Sequence, residues 1–276
     1  MWECGPVRKE VIGDCELYLG DCREVLSSIG EMDAVIADPP FSIPHEFGEA
    51  KGRSGKGTRT LQWDWDADMS REDVVLALRL SVERSQSFMT FCGLSQATLI
   101  ADMAEAAGFV AKPAVWVKEC PPPAGKGNWW PSGMQMAVYG YRSGSGAFFG
   151  DDDPKRSNVF TADAYRYGQP GKTGHPTQTP LTLMERFVRS LVPRGGACLD
   201  PFMGSGTTGV ACAKAGRKFV GIEIDKQWFD VSCKRIEAAY AQPDMFAEAP
   251  AAPRPKQLDL MINNGGDHAA TRSNMV

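Results

Sequence analysis

Two short strings in this 276-residue sequence carry groups that could do chemistry. The first, Asp38-Pro39-Pro40-Phe41, sets a carboxylate, two rigid prolines and an aromatic ring directly after the apolar run Asp33 to Ala37. The second runs from Asp200-Pro201-Phe202-Met203 through Gly204-Ser205-Gly206-Thr207-Thr208-Gly209 and places a glycine-rich turn between an apolar segment and a helical one. Such a turn cradles a nucleotide-like cofactor against a helix N-terminus. The exocyclic amine of a nucleobase is a poor nucleophile, because its lone pair is delocalised into the ring. A carboxylate oxygen of Asp38 and the carbonyl of Pro39 can each accept one N–H of that amine. This pulls the nitrogen toward tetrahedral geometry and frees the lone pair for in-line attack. Pro39 and Pro40 hold the carbonyl rigidly, and Phe41 offers a face for a base extruded from its stack. Such groups would suit transfer from a bound cofactor to a base nitrogen, a reaction that requires no metal and no covalent intermediate.

Each string also has a plainer reading. Asp38 could simply cap a strand end before a proline turn. Gly204 to Gly209 matches the G-x-G-x-x-G dinucleotide fingerprint, with Glu223 about twenty residues on as the acid that binds ribose, which would suit a nicotinamide cofactor. Asp200-Pro201-Phe202 points elsewhere. A carboxylate there crowds a pyrophosphate but suits a cofactor bearing an ammonium and a sulfonium.

The elements that must position these groups follow from periodicity. Strands are expected at Glu16 to Leu19, Asp33 to Ala37, Ser87 to Cys92, Ala197 to Leu199 and Lys218 to Ile224. Helices are expected at Arg23 to Ile29, Arg71 to Ser85, Gln96 to Ala107, Leu181 to Leu191, Thr207 to Ala215 and Gln227 to Ala239. Both chemical strings follow predicted strands. In an open parallel sheet such strand ends can face one crevice. From Val110 to Gly174 the strand–helix rhythm lapses, with strand-like stretches at Ala114 to Lys118 and Gln135 to Tyr141, and this region reads as an elaboration. Residues 242–276 lack periodicity and read as a disordered tail.

The strings resemble those of the DNA amino-methyltransferases, which methylate adenine N6 or cytosine N4. His175-Pro176-Thr177-Gln178-Thr179-Pro180 is similar to that family's HPTQKP element, and Gly20-Asp21-Cys22 to its GD element. The motif order is that of the permuted β class. The resemblance implies an α/β, Rossmann-like methyltransferase fold: a twisted, mostly parallel sheet with helices on both faces, a circularly permuted motif order and an inserted target-recognition lobe. It further implies one catalytic domain over 1–241, with 111–167 as that lobe. The cofactor would be S-adenosyl-L-methionine. Asp200, Pro201, Phe202, Gly204, Ser205, Gly206 and Thr207 would line it, with His175, Thr177 and Gln178 near its methionine part. Glu223 would bind its ribose, and Ile224 and Asp21 would sit nearby. Thr179 stands where the family usually has lysine, so charge pairing from that position is lost. Asp21 alone reads as a helix cap.

Asp38, where the cytosine-N4 enzymes mostly carry serine, favours adenine N6 in double-stranded DNA, with cytosine N4 as the alternative. A non-catalytic, cofactor-binding DNA regulator is a further alternative, against which the intact Asp38 and Asp200 strings speak. The net charge of −4 counts mildly against a nucleic-acid partner. Locally, however, Lys51, Arg53, Lys56 and Arg59 form a glycine-rich basic stretch with no acid, suited to phosphate contact. A homodimer and a cognate restriction endonuclease are left open as partners. No apolar run is long enough to span a membrane and no signal peptide is apparent, so the expected location is cytoplasmic. The eight cysteines contain no C-x-x-C pair and read as small core residues.

Overall fold

A computed structural model describes residues 7–40, 69–120, 133–144, 150, 157–165, 169, 171–175 and 177–242. Its strands are β1 (Arg8–Ile12), β2 (Cys15–Leu19), β3 (Met32–Ala37), β4 (Ser85–Cys92), β5 (Phe109–Val117), β6 (Met134–Arg142), β7 (Val159–Thr161), β8 (Ala197–Asp200) and β9 (Lys218–Glu223). Its helices are α1 (Cys22–Val25, continued by a tight turn over Leu26–Ser28), α2 (Arg71–Val82), α3 (Leu94–Ala106), α4 (Leu181–Leu191), α5 (Thr207–Ala215) and α6 (Lys226–Ala241).

The strands join in one sheet in the order β1-β2-β9-β8-β3-β4-β6-β5-β7. The five central strands from β2 to β4 are parallel, flanked by antiparallel β1 and by the β5–β6 hairpin. In β3, Ala34 and Ile36 join the core that holds Phe187 and Val188 of α4, whereas Val35 and Ala37 join the core that holds Val74 and Leu78 of α2. Side chains alternate across a strand, so a central parallel strand buried on both faces must be apolar throughout. That is why residues 33–37 could be read directly.

β3 and β8 are neighbours, paired at Ala34–Cys198 and Val35–Leu199. From β3 the chain proceeds outward to β4, and from β8 it proceeds the other way to β9. The order therefore reverses between them, which creates the crevice in which open α/β sheets bind ligands. Asp33 pins this junction, its Oδ2 accepting the Ala197 N–H at 2.8 Å.

Three expectations need correction. The helix beginning at Arg71 stops at Val82, because the Arg84 carbonyl accepts the Met32 N–H and Ser85 already pairs with Met32 across β3–β4. The strand expected from Ala114 starts at Phe109 and runs through Pro113. Pro113 is tolerated because its missing N–H faces the edge where β7, which pairs only with 115–117, has not yet begun. Finally, the stretch read as an elaboration contributes β5, β6 and β7 to the same sheet, where they complete its far side. Strands β1 and β7 carried no recognised signal. The tail expected beyond 242 lies outside the described residues.

Candidate active site

One cavity of about 1040 Å³ opens where the carboxyl ends of the central strands meet. Asp38, Pro39 and Pro40 reach it from the end of β3, Asp200 to Ser205 and Thr207 from β8 and its turn, and Glu223 and Ile224 from β9. Asp21, His175, Thr177 and Gln178 line it as well. It therefore gathers nearly every residue picked from the sequence. Phe41, the Ser42–Thr60 stretch with its four cations, and Pro176 lie outside the described residues.

The glycine turn is built by folding back onto β9. Met203 donates its N–H to the Ile222 carbonyl at 2.9 Å, and its thioether occupies the space where a Cβ on Gly221 would stand. Gly204 donates its N–H to Glu223 Oε2 at 2.7 Å, while Asp225 donates to Oε1 at 2.8 Å. Glu223 thus braces the turn, and each of its oxygens keeps a further lone pair. Asp200 does the same from inside, accepting from Thr208 Oγ1 at 2.7 Å and from the Phe202 N–H at 3.0 Å. Gly206 departs from expectation, since it is absent from the cavity wall. It takes φ +76°, and a Cβ there would lie 2.7 Å from the Ser232 Cβ. The missing side chain lets α5 and α6 approach closely.

The HPTQ segment also differs in detail. Gln178 is buried and largely committed to its own turn: Nε2 donates to the Gly171 carbonyl at 2.8 Å, and Oε1 accepts from Thr173 N–H and Oγ1. His175 meets Trp228 edge-on, with ring centroids 4.5 Å apart. Burial, with the positive charges of Lys172 and Arg235, pushes its imidazole down to about 4 and leaves it neutral. Asp21 caps α1, accepting the Arg23 N–H at 2.8 Å, and Arg23 bridges it to Asp73. The plainer cap reading is therefore present, on a residue that still faces the cavity.

Four contributors escaped the sequence reading. Thr179 Oγ1 donates to Asp38 Oδ2 at 2.7 Å, so the threonine in the lysine position holds the carboxylate of the first string. Gln135 Nε2 reaches Asp38 Oδ1 at 3.4 Å from β6. The wholly buried Gln96 donates to the Pro40 carbonyl at 3.5 Å, which ties the proline turn to α3. Arg235 of α6 donates to Ser205 Oγ at 3.0 Å and to Thr207 Oγ1 at 3.1 Å. No described residue donates to the Pro39 carbonyl. The lysine position alone could have flagged Thr179; the other three sit in segments with no distinguishing pattern.

Electrostatically the cavity holds carboxylates that are hard to ionise. Burial pushes Asp38 up to about 6, against the donors Thr179 and Gln135 and the charge of Lys118. It pushes Asp200 and Glu223 up to about 7, each against its two donors, and like charge adds to both. Enclosed acids of this kind favour a cationic ligand, and Glu223 has lone pairs left for hydroxyl groups. This donor set fits a cofactor that carries an adenosine ribose, an ammonium and a sulfonium.

A doubly wound sheet with a glycine turn at its switch point and an acid at the end of the next strand is an arrangement that binds an adenosine-bearing cofactor. A family model described as DNA methylase matches residues 141–234. The chain is 27% identical over 224 residues to the type II methyltransferase M2.DpnII of Streptococcus pneumoniae, which covers 75% of this chain and 83% of that one. It superposes on the complex of M1.HpyAVI with S-adenosylmethionine with a TM-score of 0.61 and 27% identity, covering 80% of this chain and 98% of the other. The cytosine-N4-specific PvuII DNA methyltransferase shares the fold, with a TM-score of 0.62 at 17% identity over 84% of this chain and 93% of the other. The chain is similar to the adenine-N6/cytosine-N4 DNA methyltransferases, and its cofactor is S-adenosylmethionine. Among the described residues no helix is long and apolar enough to cross a membrane.

Proposed function

We propose that this enzyme methylates the N6 amine of adenine in duplex DNA. The observation that carries the reading is the juxtaposition, in one cavity, of Asp38 and Pro39 with the glycine turn of β8. When bound, S-adenosylmethionine supplies a methyl group on a sulfonium sulfur. Asp38 accepts one amine N–H and the Pro39 carbonyl accepts the other, which orients the lone pair for direct transfer. As the new N–C bond forms, the amine sheds one proton, and Asp38 is placed to take it. Pro40, anchored through Gln96, keeps the carbonyl from turning away. The base must leave the duplex to reach this depth, and Phe41 is assigned to stack on it.

Asp38 in place of serine supports adenine over cytosine. Lys51, Arg53, Lys56 and Arg59 are assigned to phosphates. Sequence recognition is assigned to the 111–167 segment. Asp200, Glu223, His175 and Thr177 are assigned to the cofactor. The type II name of its S. pneumoniae relative supports a place in a restriction–modification system, acting in the cytoplasm with a cognate endonuclease. The test is nucleoside mass spectrometry of unmethylated DNA after incubation with enzyme and isotopically labelled S-adenosylmethionine. N6-methyladenine is expected, and N4-methylcytosine alone would replace the adenine assignment.

A further inference from the structure

The carboxylate of Asp38 is held by groups from three separate parts of the chain. Thr179, buried just before α4, donates its hydroxyl to Oδ2 at 2.7 Å. Gln135 on β6 donates to Oδ1 at the longer distance of 3.4 Å. Lys118, just after β5, is half-buried in the same cavity and directs its charge toward Asp38, with its ammonium 5.2 Å from the centre of the Trp116 ring. Opposing them is Asp200 from the end of β8, a like charge across the cavity. At 2.7 Å the threonine bond is in the range of a charge-assisted O–H···O⁻ contact, and the glutamine bond is long.

A buried carboxylate can grip an amine only if it is ionised and aimed. Each of its oxygens accepts about two hydrogen bonds, so one donor per oxygen leaves a lone pair on each for substrate. A single short donor on Oδ2 also removes the rotation that would otherwise present either oxygen to the amine.

We propose that Thr179 is a positioning residue for Asp38, holding its carboxylate ionised and in one rotation, with Gln135 and Lys118 assisting. The proposal rests on the reading of Asp38 as the group that grips the target amine. It assigns a specific task to the position where the family's usual lysine is missing: the hydroxyl supplies the hydrogen bond, and a positive charge acts on the same carboxylate through Lys118.

The experiment compares wild type, Thr179→Val, Thr179→Ser and Lys118→Met in the full chain. The ionisation of Asp38 is followed by NMR of ¹³C-carboxyl-labelled aspartate, with its signal identified by its disappearance in Asp38→Asn. Loss of one hydrogen bond to a charged group shifts an ionisation equilibrium about tenfold or more. The Asp38 midpoint should therefore move up by about one pH unit or more in Thr179→Val. Thr179→Ser should restore it, and Lys118→Met should move it in the same direction. In methylation assays a one-unit rise from about 6 should cost Thr179→Val about twofold in kcat at pH 7 and about fivefold at pH 6, as the ionised fraction of Asp38 falls. That loss should recover by about pH 9, with KM for S-adenosylmethionine nearly unchanged, whereas a folding defect would depress the rate at every pH. An unmoved Asp38 titration in Thr179→Val would overturn the assignment of Thr179 and leave the proposed reaction standing. A moved titration with an unmoved rate profile would show that Asp38 does not set the reaction, and would overturn both.

Discussion

Cofactor binding should be coupled to proton release, with a size set by Asp200 and Glu223. Both are pushed up to about 7, mainly by burial, and both already accept two hydrogen bonds, one of them from the glycine turn. Hydrogen bonding thus favours the ionised forms, burial opposes them, and a cationic ligand should tip the balance. If one such group must ionise for tight binding, apparent affinity is divided by one plus the ratio of protonated to ionised enzyme. For a group at about 7 that divisor is about 11 at pH 6, 2 at pH 7 and 1.1 at pH 8. The dissociation constant for S-adenosylmethionine should thus weaken about tenfold from pH 8 to pH 6 for one obligatory ionisation, and up to about a hundredfold for two. Titration calorimetry at pH 6, 7 and 8, in buffers of different ionisation enthalpy, measures the affinity and the protons released. S-adenosylhomocysteine, which lacks the sulfonium charge, should show a shallower dependence. A pH-independent dissociation constant with no proton exchange would refute the argument that these acids are partly neutral in the free enzyme. The same shifts bear on stability. Folded-state values raised above those of the unfolded chain contribute stability that is full below about pH 4 and is lost as pH rises through about 6 to 7. The cofactor-free protein should therefore melt at a lower temperature at pH 8 than at pH 6, by differential scanning calorimetry, with the cofactor narrowing that gap.

Asp38→Ala should abolish methyl transfer to DNA while leaving the calorimetric affinity for S-adenosylmethionine within about threefold, because Asp38 addresses the acceptor rather than the donor. Gly206→Ala should cost about 2–4 kcal/mol in urea denaturation, from the left-handed backbone and the 2.7 Å approach to Ser232; a neutral outcome would contradict the tight α5–α6 packing. Glu223→Ala should weaken the cofactor by about 1.5–3 kcal/mol through removal of a charged hydrogen bond. It should also loosen the turn, seen as faster amide exchange at Gly204. Neutralising Lys51, Arg53, Lys56 and Arg59 together should weaken DNA binding on all sequences, and should flatten the slope of log affinity against log salt by about 0.9 for each phosphate no longer neutralised. Unchanged affinity with altered site preference would make that stretch a reader of bases instead.

The sequence by itself determined what is local. Apolar runs buried on both faces marked β3 and β8, prolines marked the end of β3, and glycines marked the turn before α5. Each signal is set by backbone sterics or by burial within a few residues, so it survives without the fold. Those signals were enough to name Asp38 and Asp200 and to place both at strand ends. What only the tertiary structure decided is which distant residues meet them. Thr179 lies 141 positions from Asp38 and Gln135 lies 97, and both arrive because sheet order sets β8 on one side of β3 and the β4–β6–β5 strands on the other. The β5–β6 hairpin lacks the strand–helix rhythm, so it read as an addition until its pairing with β4 showed it to be sheet. At Gly206 the fingerprint records that a side chain is excluded, and the structure adds that Ser232 of α6 leaves no room for one. Local sequence fixes which groups stand at a strand end, while long-range pairing fixes their neighbours, and it is the neighbours that set ionisation and aim.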